Sequence, residues 1–390
     1  MTAPLAGLKV VELARILAGP WIGQTLADLG ADVIKVEAPE GDDTRSWGPP
    51  FIHREDGTRD AVYFLSCNRG KRSVVADFSK PADREMVLQL IDSADVVIEN
   101  FKTGGLKKFG LDYPTLAQRH PRLVYCSVTG FGQDGPYARR AGYDAMIQGL
   151  SGIMDLTGDP NGEPQKTGVA FMDIITGLYG TIAIQAALAQ RERTGRGQHV
   201  DMALLDVGVS VLANQALNYL VSGKVPRRMG NAHPNIVPYQ TFAVADGYVM
   251  IAVGNDSQYR KLCEVLERPQ LGVDPRFATN EDRVRERSVL IPILGELMLK
   301  YPSAVLLARL EQAGVPAGPI NTVEDVFKDP QVKHRQMAVS IPAPDVVGGT
   351  VPSVPSPMKF SDAQLSLSKP PPRLGEHTEE IRRELGLPDR

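Results

Sequence analysis

Asp173 is the residue whose type and position point most directly to chemistry. It lies in the stretch Gly168–Gly177, after a short apolar run and before a segment in which apolar side chains recur every three or four positions. That spacing predicts a helix, and its expected buried face consists of Ile175, Leu178, Ile182, Ala186 and Ala189. Local sequence favours an ordinary N-cap aspartate. The alternative is a carboxylate that the helix dipole keeps ionised for nucleophilic attack.

No competing catalytic motif accompanies Asp173. The six histidines show no metal-ligand spacing, no serine lies in a GxSxG motif, and there is no GxxxxGK[ST] phosphate-binding loop. Cys67, Cys126 and Cys263 are dispersed and form no CxxC pair, so we expect neither a disulfide framework nor a zinc site. The sequence therefore predicts an enzyme with no metal and no permanently bound cofactor.

Composition bounds the class of protein. At 390 residues the chain exceeds the size at which one core usually keeps growing, which favours two domains. A net charge of −3 gives no electrostatic reason to expect nucleic acid or an anionic membrane as a partner. We see no uninterrupted apolar stretch long enough to span a bilayer and no secretory signal pattern at the N-terminus. A cytoplasmic enzyme with reduced cysteines is the simplest expectation.

Strand and helix patterns alternate through the first third of the chain. This alternation predicts an α/β fold with a doubly wound, mainly parallel sheet. The expected elements are strands at Leu8–Leu13, Ala31–Val36, Ser73–Asp77, Asp95–Glu99 and Arg122–Val128, with the first helix at Trp21–Leu29. The first strand-to-helix turn has one glycine, Gly19, and no GxGxxG motif, which removes the main support for NAD binding. Glu37, at the end of the second strand, is expected to be solvated.

The rest of the chain predicts a divided architecture. Residues 1–222 are expected to form the first part of a large Rossmann-like domain, 223–325 a smaller α+β domain, and 326–390 a linker and a C-terminal part that returns to the large domain. The apolar segment Val200–Val221 is interpreted as one buried helix. Gly130–Gly132 lies in a loop at the carboxyl end of a strand, which is where ligands bind in open α/β sheets.

Several dispersed segments resemble, in order, the class III CoA-transferases, the formyl-CoA-transferase-like or CaiB/BaiF family that also includes alpha-methylacyl-CoA racemase. The resemblance runs from about Leu5 to the C-terminus. It is carried by Ala18–Pro20, Leu29–Glu37, Asn68–Ser73, Glu99–Phe101, Gly142–Asp144, the Asp173 stretch, Thr194–Gln198 and Leu374–Thr378. Gly41–Phe51 and Gly230–Gln240 are most similar to the branch that moves CoA from succinyl-CoA to another dicarboxylate such as glutarate.

The resemblance implies roles for particular residues. Asp173 would attack the acyl-CoA thioester and pass through an aspartyl anhydride to an aspartyl-CoA thioester. Tyr143 and Asp144 would lie beside it, and Gly130, Phe131 and Gly132 would form a mobile loop that shields the anhydride from water. Racemases of the family carry a histidine where this chain has Tyr143, so transfer is preferred over racemisation. A non-catalytic CoA-binding scaffold is the third hypothesis. The implied CoA groove consists of Arg15, Leu17, Ala18, Lys71, Asn100 and Lys108.

Two further expectations concern partners. The family fold is an interlocked homodimer in which each chain threads through the other, so a second copy of this chain is the expected protein partner. The expected small-molecule partners are an acyl-CoA and a carboxylic acid. A dicarboxylate acceptor needs a cation for its distal carboxylate, for which Arg45, Lys166 and His233 are the candidates.

Overall fold

The computed structural model describes residues 2–388, which divide into two compact units. The large unit comprises Met1–Ile153, Lys166–Val221 and Gln331–Arg390. The small unit comprises Met154–Gln165 and Ser222–Pro330. The small unit thus includes the expected segment 223–325 and, in addition, a short piece of chain just before the Asp173 stretch.

Strands and helices alternate through the first half of the chain. Among residues 2–388 the strands are β1 (Lys9–Glu12), β2 (Asp32–Glu37), β3 (Phe51–His53), β4 (Arg59–Ala61), β5 (Arg72–Val75), β6 (Val96–Glu99), β7 (Val124–Thr129), β8 (His199–Ala203), β9 (Tyr239–Val244), β10 (Gly247–Ala252), β11 (Ala317–Pro319), β12 (Val339–Pro342) and β13 (Thr350–Ser353). The α-helices are α1 (Ala18–Asp28), α2 (Val62–Leu65), α3 (Pro81–Asp92), α4 (Tyr113–Arg119), α5 (Asp144–Leu150), α6 (Ile153–Leu156), α7 (Phe171–Thr194), α8 (Leu204–Ser210), α9 (Ala213–Ser222), α10 (Asp256–Val265), α11 (Asn280–Arg285), α12 (Arg287–Met298), α13 (Ser303–Ala313), α14 (Val323–Lys328), α15 (Pro330–His334) and α16 (Thr378–Glu384).

The large unit is built on a six-stranded parallel sheet in the order β5-β2-β1-β6-β7-β8. Counted in chain order within the sheet, the strands run 3-2-1-4-5-6, the order of doubly wound nucleotide-binding sheets. Both faces are covered, which explains the continuous apolar strands. Val10 and Val96 pack towards α1 and α7, whereas Val11 and Val97 pack towards α3, α4 and α16. The predicted parallel α/β sheet is confirmed.

Helix α7 begins two residues before Asp173 and is terminated by Gly195, whose φ of 72° is the left-handed conformation common after helix C-termini. The predicted buried face is wrong: Leu178 and Ile182 are 45% and 63% exposed. The helix instead buries the side that carries Gly177 and Gly180 against α1, where an added Cβ would collide with Trp21 or Ile22. The apolar pattern runs along two sides of this helix, and the side with small residues allows the closer approach.

The interpretation of Val200–Val221 as one buried helix is also wrong. Its start belongs to β8, which pairs with β7 and completes the sheet. The remainder forms α8 and α9, and no residue of α9 is buried. The β-branched and apolar residues at its start satisfy a buried strand as well as a helix, and a short apolar run does not separate the two.

Among the described residues, helix α7 departs from the expectation that no apolar stretch is long enough to span a bilayer. By length and composition alone, α7 is apolar enough to cross a bilayer, with a mean hydropathy of 1.4 over its best window of 18 residues. The bent pairs α8–α9 and α12–α13 also pass this test when each is taken as one span. In the structure 39% of the α7 window is buried within the protein.

The C-terminal segment covers the β5 edge of the parallel sheet. The backbone N–H of Ser73 donates to Nδ1 of His377 (3.2 Å), and that of Val75 donates to Oγ1 of Thr378 (3.2 Å). The His377 N–H donates in return to the Ser73 carbonyl at 2.9 Å. Arg72 forms ion pairs with two glutamates of α16. An edge strand with unpaired backbone groups is a template for unwanted pairing, and here side chains and a helix occupy it.

The small unit has its own core around the antiparallel sheet β11-β10-β9. Helices α10, α12 and α13 contribute Leu262, Leu294 and Leu306 to this core. Val249 of β10 is fully buried. The small unit thus combines an antiparallel sheet with helices around one core.

Candidate active site

A cavity of about 670 Å³ opens at the carboxyl ends of β1, β6 and β7 in the large unit. Strands β1 and β6 are neighbours from which the chain departs in opposite directions, and ligands bind in the crevice at such a switch point. The volume is within the usual range for a ligand site. The cavity is lined by Arg15, Ile16, Leu17, Ala18, Asn100, Phe101, Lys102, Thr103, Gly104, Gly105, Lys108, Phe109, Val128, Thr129, Gly130, Ala138, Arg140, Ala141, Gly142, Tyr143, Asp173 and Leu204.

Asp173 reaches this cavity as the third residue of α7, so the N-cap interpretation is wrong. The cap position is Ala170, which makes no side-chain capping bond. The capping acceptor comes from another helix: Oδ1 of Asp144 accepts hydrogen bonds from the backbone N–H groups of Met172 (2.8 Å) and Asp173 (3.1 Å). Asp144 therefore supplies the capping carboxylate at the start of α7, and the Asp173 carboxyl is left facing the cavity.

The environment raises the pKa of Asp173 to about 7. Burial is the larger cause and the negative charge of Asp144 is the second. Desolvation and the like charge of Asp144 therefore act against the helix dipole, which by itself would favour the ionised form of Asp173. Near neutral pH both forms of Asp173 are populated. The ionised form is an unusually basic, poorly solvated carboxylate, which favours reactivity towards a carbonyl.

A buried glutamine links Asp144 to the chain segment that leads into α7. Nε2 of Gln148 donates to Oδ2 of Asp144 at 2.6 Å, and Oε1 of Gln148 accepts from the N–H of Thr167 at 2.9 Å. Gln148 is fully buried. Sequence reasoning missed it, although its position four residues after Asp144 at a helix start places the two side chains on one face. The network fixes Asp144, and through Asp144 it fixes the first turn of α7.

Gly130 and Gly142 meet backbone to backbone at the wall of the cavity. A Cβ added to Gly142 would lie 2.4 Å from Cα of Gly130, and the reverse substitution would give 2.5 Å. Only glycine at both positions permits this approach. The contact brings the loop that follows β7 against the segment that carries Tyr143 and Asp144, and so builds one wall of the site.

The rest of the glycine loop is anchored. Phe131 packs against the core and lies edge-on to Tyr137, with ring centroids 5.6 Å apart. The N–H of Gly132 donates to Oγ1 of Thr129 at 2.8 Å, and that of Gln133 donates to Asp201 at 2.9 Å. In this conformation the glycines serve close packing and a turn, with φ of 88° at Gly132. The expected movement of this loop stays a prediction.

Five of the six residues expected in the CoA groove line the cavity: Arg15, Leu17, Ala18, Asn100 and Lys108. The sixth, Lys71, does not, and its assignment is wrong. Its side chain is completely buried, and its Nζ lies 2.8 Å from Oε2 of Glu12, from the Pro20 carbonyl and from Oδ1 of Asn68. Lys71 neutralises Glu12 inside the unit and has no donor left for a ligand.

Arg45 is also a structural cation rather than a substrate ligand. Its guanidinium pairs with Glu37 (2.7 Å) and Asp60 (3.0 Å) and lies over the ring of Phe64 at 3.6 Å. Glu37 is buried, so the expectation that it is solvated is wrong. Burial alone would raise the pKa of Glu37, but Arg45, Lys35 and Ser73 together lower it, Arg45 through both its hydrogen bond and its charge. The pair holds the loop after β2 against the body of the unit.

The other two candidates for a distal carboxylate lie outside the residues that line the cavity. Lys166 is exposed in the large unit, and its Nζ donates to the carbonyl of Thr167 at 3.2 Å. His233 belongs to the small unit, where burial, and then Arg287, lower its pKa.

Sequence reasoning missed two cations that line the cavity, Lys102 and Arg140. The guanidinium of Arg140 lies 4.1 Å from the ring centroid of Tyr137. Tyr63 was missed as well: burial, followed by the charge of Asp173, raises its pKa to about 12. The signal available in the sequence was position, because Lys102 lies three residues after the end of β6 and Arg140 lies three residues before Tyr143. Within residues 2–388 no group of three or more His, Cys, Asp or Glu side chains is placed to hold a metal ion.

Comparisons with known proteins identify the family of this chain. The family described as CoA-transferase family III matches residues 5–378. The succinate–glutarate CoA-transferase of Agrobacterium fabrum is 53% identical over 98% of this chain and 96% of its own length. The human succinyl-CoA:glutarate CoA-transferase is 42% identical over 98% of this chain and 86% of its own length. The crystal structure of a CaiB/BaiF family protein from Brucella suis has a TM-score of 0.87 and 62% identity, covering 99% of this chain and all of that one.

The chain therefore belongs to the class III CoA-transferase family, and it is an enzyme of that class. A more distant structure, Rv3272 from Mycobacterium tuberculosis, has a TM-score of 0.85 at 31% identity and covers 97% of this chain and 98% of its own. The resemblance inferred from the dispersed sequence segments is confirmed.

Proposed function

We propose that the protein transfers CoA from succinyl-CoA to a second carboxylic acid, a dicarboxylate of the glutarate type, with Asp173 as the nucleophile. The observation that carries the proposal is the placement of Asp173. It is a carboxyl with a raised pKa, on the first turn of a helix capped by a different residue, in a cavity at the switch point of a parallel sheet. The names of the relatives support succinyl-CoA as donor and glutarate as acceptor.

The reaction needs no external energy source. A carboxylate oxygen of Asp173 attacks the thioester carbonyl, the carbon–sulfur bond breaks, and the product is a mixed anhydride plus CoA thiolate. The thiolate then attacks the Asp173 carbonyl carbon and releases succinate, which leaves an aspartyl-CoA thioester. The acceptor carboxylate attacks this thioester and forms a second anhydride with release of thiolate. Attack of the thiolate on the acceptor carbonyl yields the new acyl-CoA and restores Asp173.

The cations that line the cavity fit anionic substrates. Arg15, Lys102, Lys108 and Arg140 line one continuous cavity with Asp173. Phosphates of CoA and the distal carboxylate of a dicarboxylate both require such donors. We assign Arg140 to the acyl end, because it precedes Tyr143 by three residues on the same segment. Arg45 is excluded from this role by its buried pairs with Glu37 and Asp60.

Intact-mass measurement tests the proposal. Wild type incubated with succinyl-CoA should gain the mass of a covalently bound CoA, and Asp173→Asn should not gain it while still binding free CoA by calorimetry. Subsequent addition of glutarate should discharge the adduct and produce glutaryl-CoA. Absence of an adduct in the wild type, together with retained transfer by Asp173→Asn, contradicts the mechanism. Retained adduct formation with no discharge by any dicarboxylate contradicts only the proposed acceptor.

The racemase alternative makes a different prediction. A two-base racemase needs a second group to exchange the α-proton, and the residue beside Asp144 in this chain is Tyr143, which is 61% exposed. Incubation of a 2-methylacyl-CoA in deuterium oxide without any acceptor acid should leave its α-hydrogen unexchanged. Rapid exchange under these conditions would favour racemisation over transfer.

We also propose that the protein is a homodimer, interlocked as the family resemblance implies, and that it acts in the cytoplasm. Exposed apolar side chains on α7 and α9 support the dimer: Ile182 is 63% exposed, and Leu217 and Leu220 are 61% and 73% exposed. Large apolar side chains exposed on a helix are typical of a surface that another chain covers. Light scattering after gel filtration should give twice the mass of one chain, and a monomer at micromolar concentration would contradict the proposal.

A further inference from the structure

The turn between β1 and α1 contains a backbone conformation that its residue type disfavours. Ile16 has a φ of 73°. For a β-branched residue this left-handed region is an outlier, because Cβ approaches the carbonyl oxygen. Ile16 and its neighbours Arg15 and Leu17 line the cavity that contains Asp173. Such conformations persist only where the surroundings hold them, and they concentrate at functional sites.

Side chains from three other segments hold this turn. The N–H of Arg15 donates to Oδ1 of Asn100 at 3.0 Å, and Nδ2 of Asn100 donates to the Arg15 carbonyl at 2.6 Å. The N–H of Ile16 donates to the Asp42 carboxylate at 3.2 Å. The thiol of Cys67 lies 3.5 Å from the Ile16 carbonyl. All four backbone polar groups of residues 15 and 16 are therefore engaged by side chains.

Among these side chains, Asn100 bonds both backbone polar groups of one residue, Arg15. It contacts both backbone groups of Arg15 with both atoms of its amide, which fixes the orientation of the amide as well as that of the turn. It follows β6 directly, whereas Arg15 follows β1 after Leu13 and Ala14, so the amide bridges the two strands at the switch point of the sheet. No other side-chain type of this size offers a donor and an acceptor in one plane.

We infer that Asn100 is a positioning residue for CoA rather than a direct ligand: its amide holds the Arg15–Ile16–Leu17 turn in the left-handed conformation that forms this wall of the cavity. The inference rests on the proposed function, since it assumes that acyl-CoA binds in the cavity. It differs from the expectation that Asn100 itself contacts CoA, because both polar atoms of its side chain are already bonded within the protein.

A positioning role and a direct contact with CoA predict different dependences of the Asn100 variant on residue 16. Without the Asn100 amide, an isoleucine leaves the left-handed region, which it disfavours by an energy equivalent to about tenfold in population. A glycine at the same position has no such preference. A positioning role therefore predicts that the effect of losing Asn100 depends on residue 16. A direct contact with CoA predicts the same loss whatever residue stands there.

A double-mutant cycle on the full-length protein separates these roles. Calorimetry measures the Kd for free CoA, and steady-state kinetics measure KM for succinyl-CoA and kcat, for wild type, Asn100→Ala, Ile16→Gly and the double variant. We expect Asn100→Ala to raise Kd and KM about tenfold with Ile16 present and about twofold or less in the Ile16→Gly background, with kcat changing less than KM. Lys108→Ala, which removes a cation from the same cavity without touching the turn, should cause the same loss in both backgrounds.

Each outcome of the double-mutant cycle supports or overturns the positioning role of Asn100. Equal losses for Asn100→Ala in both backgrounds overturn the inference and make Asn100 a ligand. If Asn100→Ala folds only in the Ile16→Gly background, as judged by circular dichroism, that rescue supports it. If it folds in neither, Asn100→Asp replaces it, because the carboxylate keeps the acceptor for the Arg15 N–H and opposes the Arg15 carbonyl. Failure of wild type to bind CoA at all would contradict the proposed function instead.

Discussion

The raised pKa of Asp173 gives the mechanism a pH dependence that can be measured on the first half-reaction. Only the ionised carboxylate can attack the thioester, so formation of the CoA adduct should be lost as pH falls through about 7. At subsaturating succinyl-CoA the observed rate reports the free enzyme. The predicted profile therefore rises with pH and levels off above about pH 8.

The size of the effect follows from the same value. A carboxyl with a pKa of about 7 is ionised in about one molecule in a hundred at pH 5 and in about nine of ten at pH 8. The adduct-formation rate should therefore differ by roughly 90-fold between these two pH values. An aspartate at its ordinary pKa of 3.8 would be almost fully ionised at both, and its rate would change little.

Rapid quenching at intervals, followed by intact-mass measurement, gives the rate at each pH. Asp144→Asn is the informative companion variant, because Oδ1 still caps α7 while the like charge is removed. Its circular dichroism should be compared with that of wild type, because the new Nδ2 opposes Nε2 of Gln148. Its profile should move to lower pH, since Asp144 contributes to the raised pKa. A wild-type rate that is flat between pH 5 and 8 would refute the reasoning about burial. An unmoved profile for Asp144→Asn would refute the part assigned to the like charge.

Three further predictions concern stability, measured by thermal and urea denaturation. Asp173→Asn should stabilise the protein by about 2 kcal/mol at pH 8 and by progressively less towards pH 5. The reason is that ionisation of a carboxyl with a raised pKa destabilises the folded state. A stability difference that does not change with pH would contradict this prediction. Gly142→Ala should destabilise it by about 1–3 kcal/mol, because the new Cβ meets Gly130, whereas Gly168→Ala, which faces open space, should have little effect. Arg45→Met should destabilise it by about 3–5 kcal/mol through the unpaired Glu37 and Asp60, and Lys166→Met by less than about 0.5 kcal/mol. Unchanged stability of Arg45→Met with a selective loss of glutarate turnover would restore Arg45 as a substrate ligand.

Where one physical cause dominates, the sequence was sufficient to predict the structure. Buried parallel strands need continuous apolar runs, so β1, β2 and β6 were located from composition and turns. The expected smaller domain, residues 223–325, lies within the segment Ser222–Pro330 of the small unit. The predictions from sequence fail where two different structural environments favour the same residue types. Val200 satisfies a strand and a helix equally well, and α7 carries apolar side chains on a face that this chain alone leaves exposed.

The site was predictable in outline and not in its electrostatics. Leu17 and Ala18, which the family resemblance assigns to the CoA groove, line the cavity. The roles of Lys71 and Arg45 depend on partners far away in sequence, Glu12 and Asp60, and no local pattern reveals that a cation is already neutralised. The exchange of roles between Asp144 and Asp173 at the start of α7 is likewise a tertiary effect, because the capping carboxylate arrives from another helix.

Because the C-terminal segment covers the β5 edge of the parallel sheet, this edge stays open while the protein is being synthesised. Ser73 and its partner His377 are separated by 304 positions in the chain. During synthesis β5 is therefore complete long before the segment that occupies its edge exists, and the nascent sheet carries an open edge for most of translation. A chain that stops before residue 377 keeps that edge permanently, so such fragments should associate edge to edge, even though every residue of the cavity and Asp173 itself is already present.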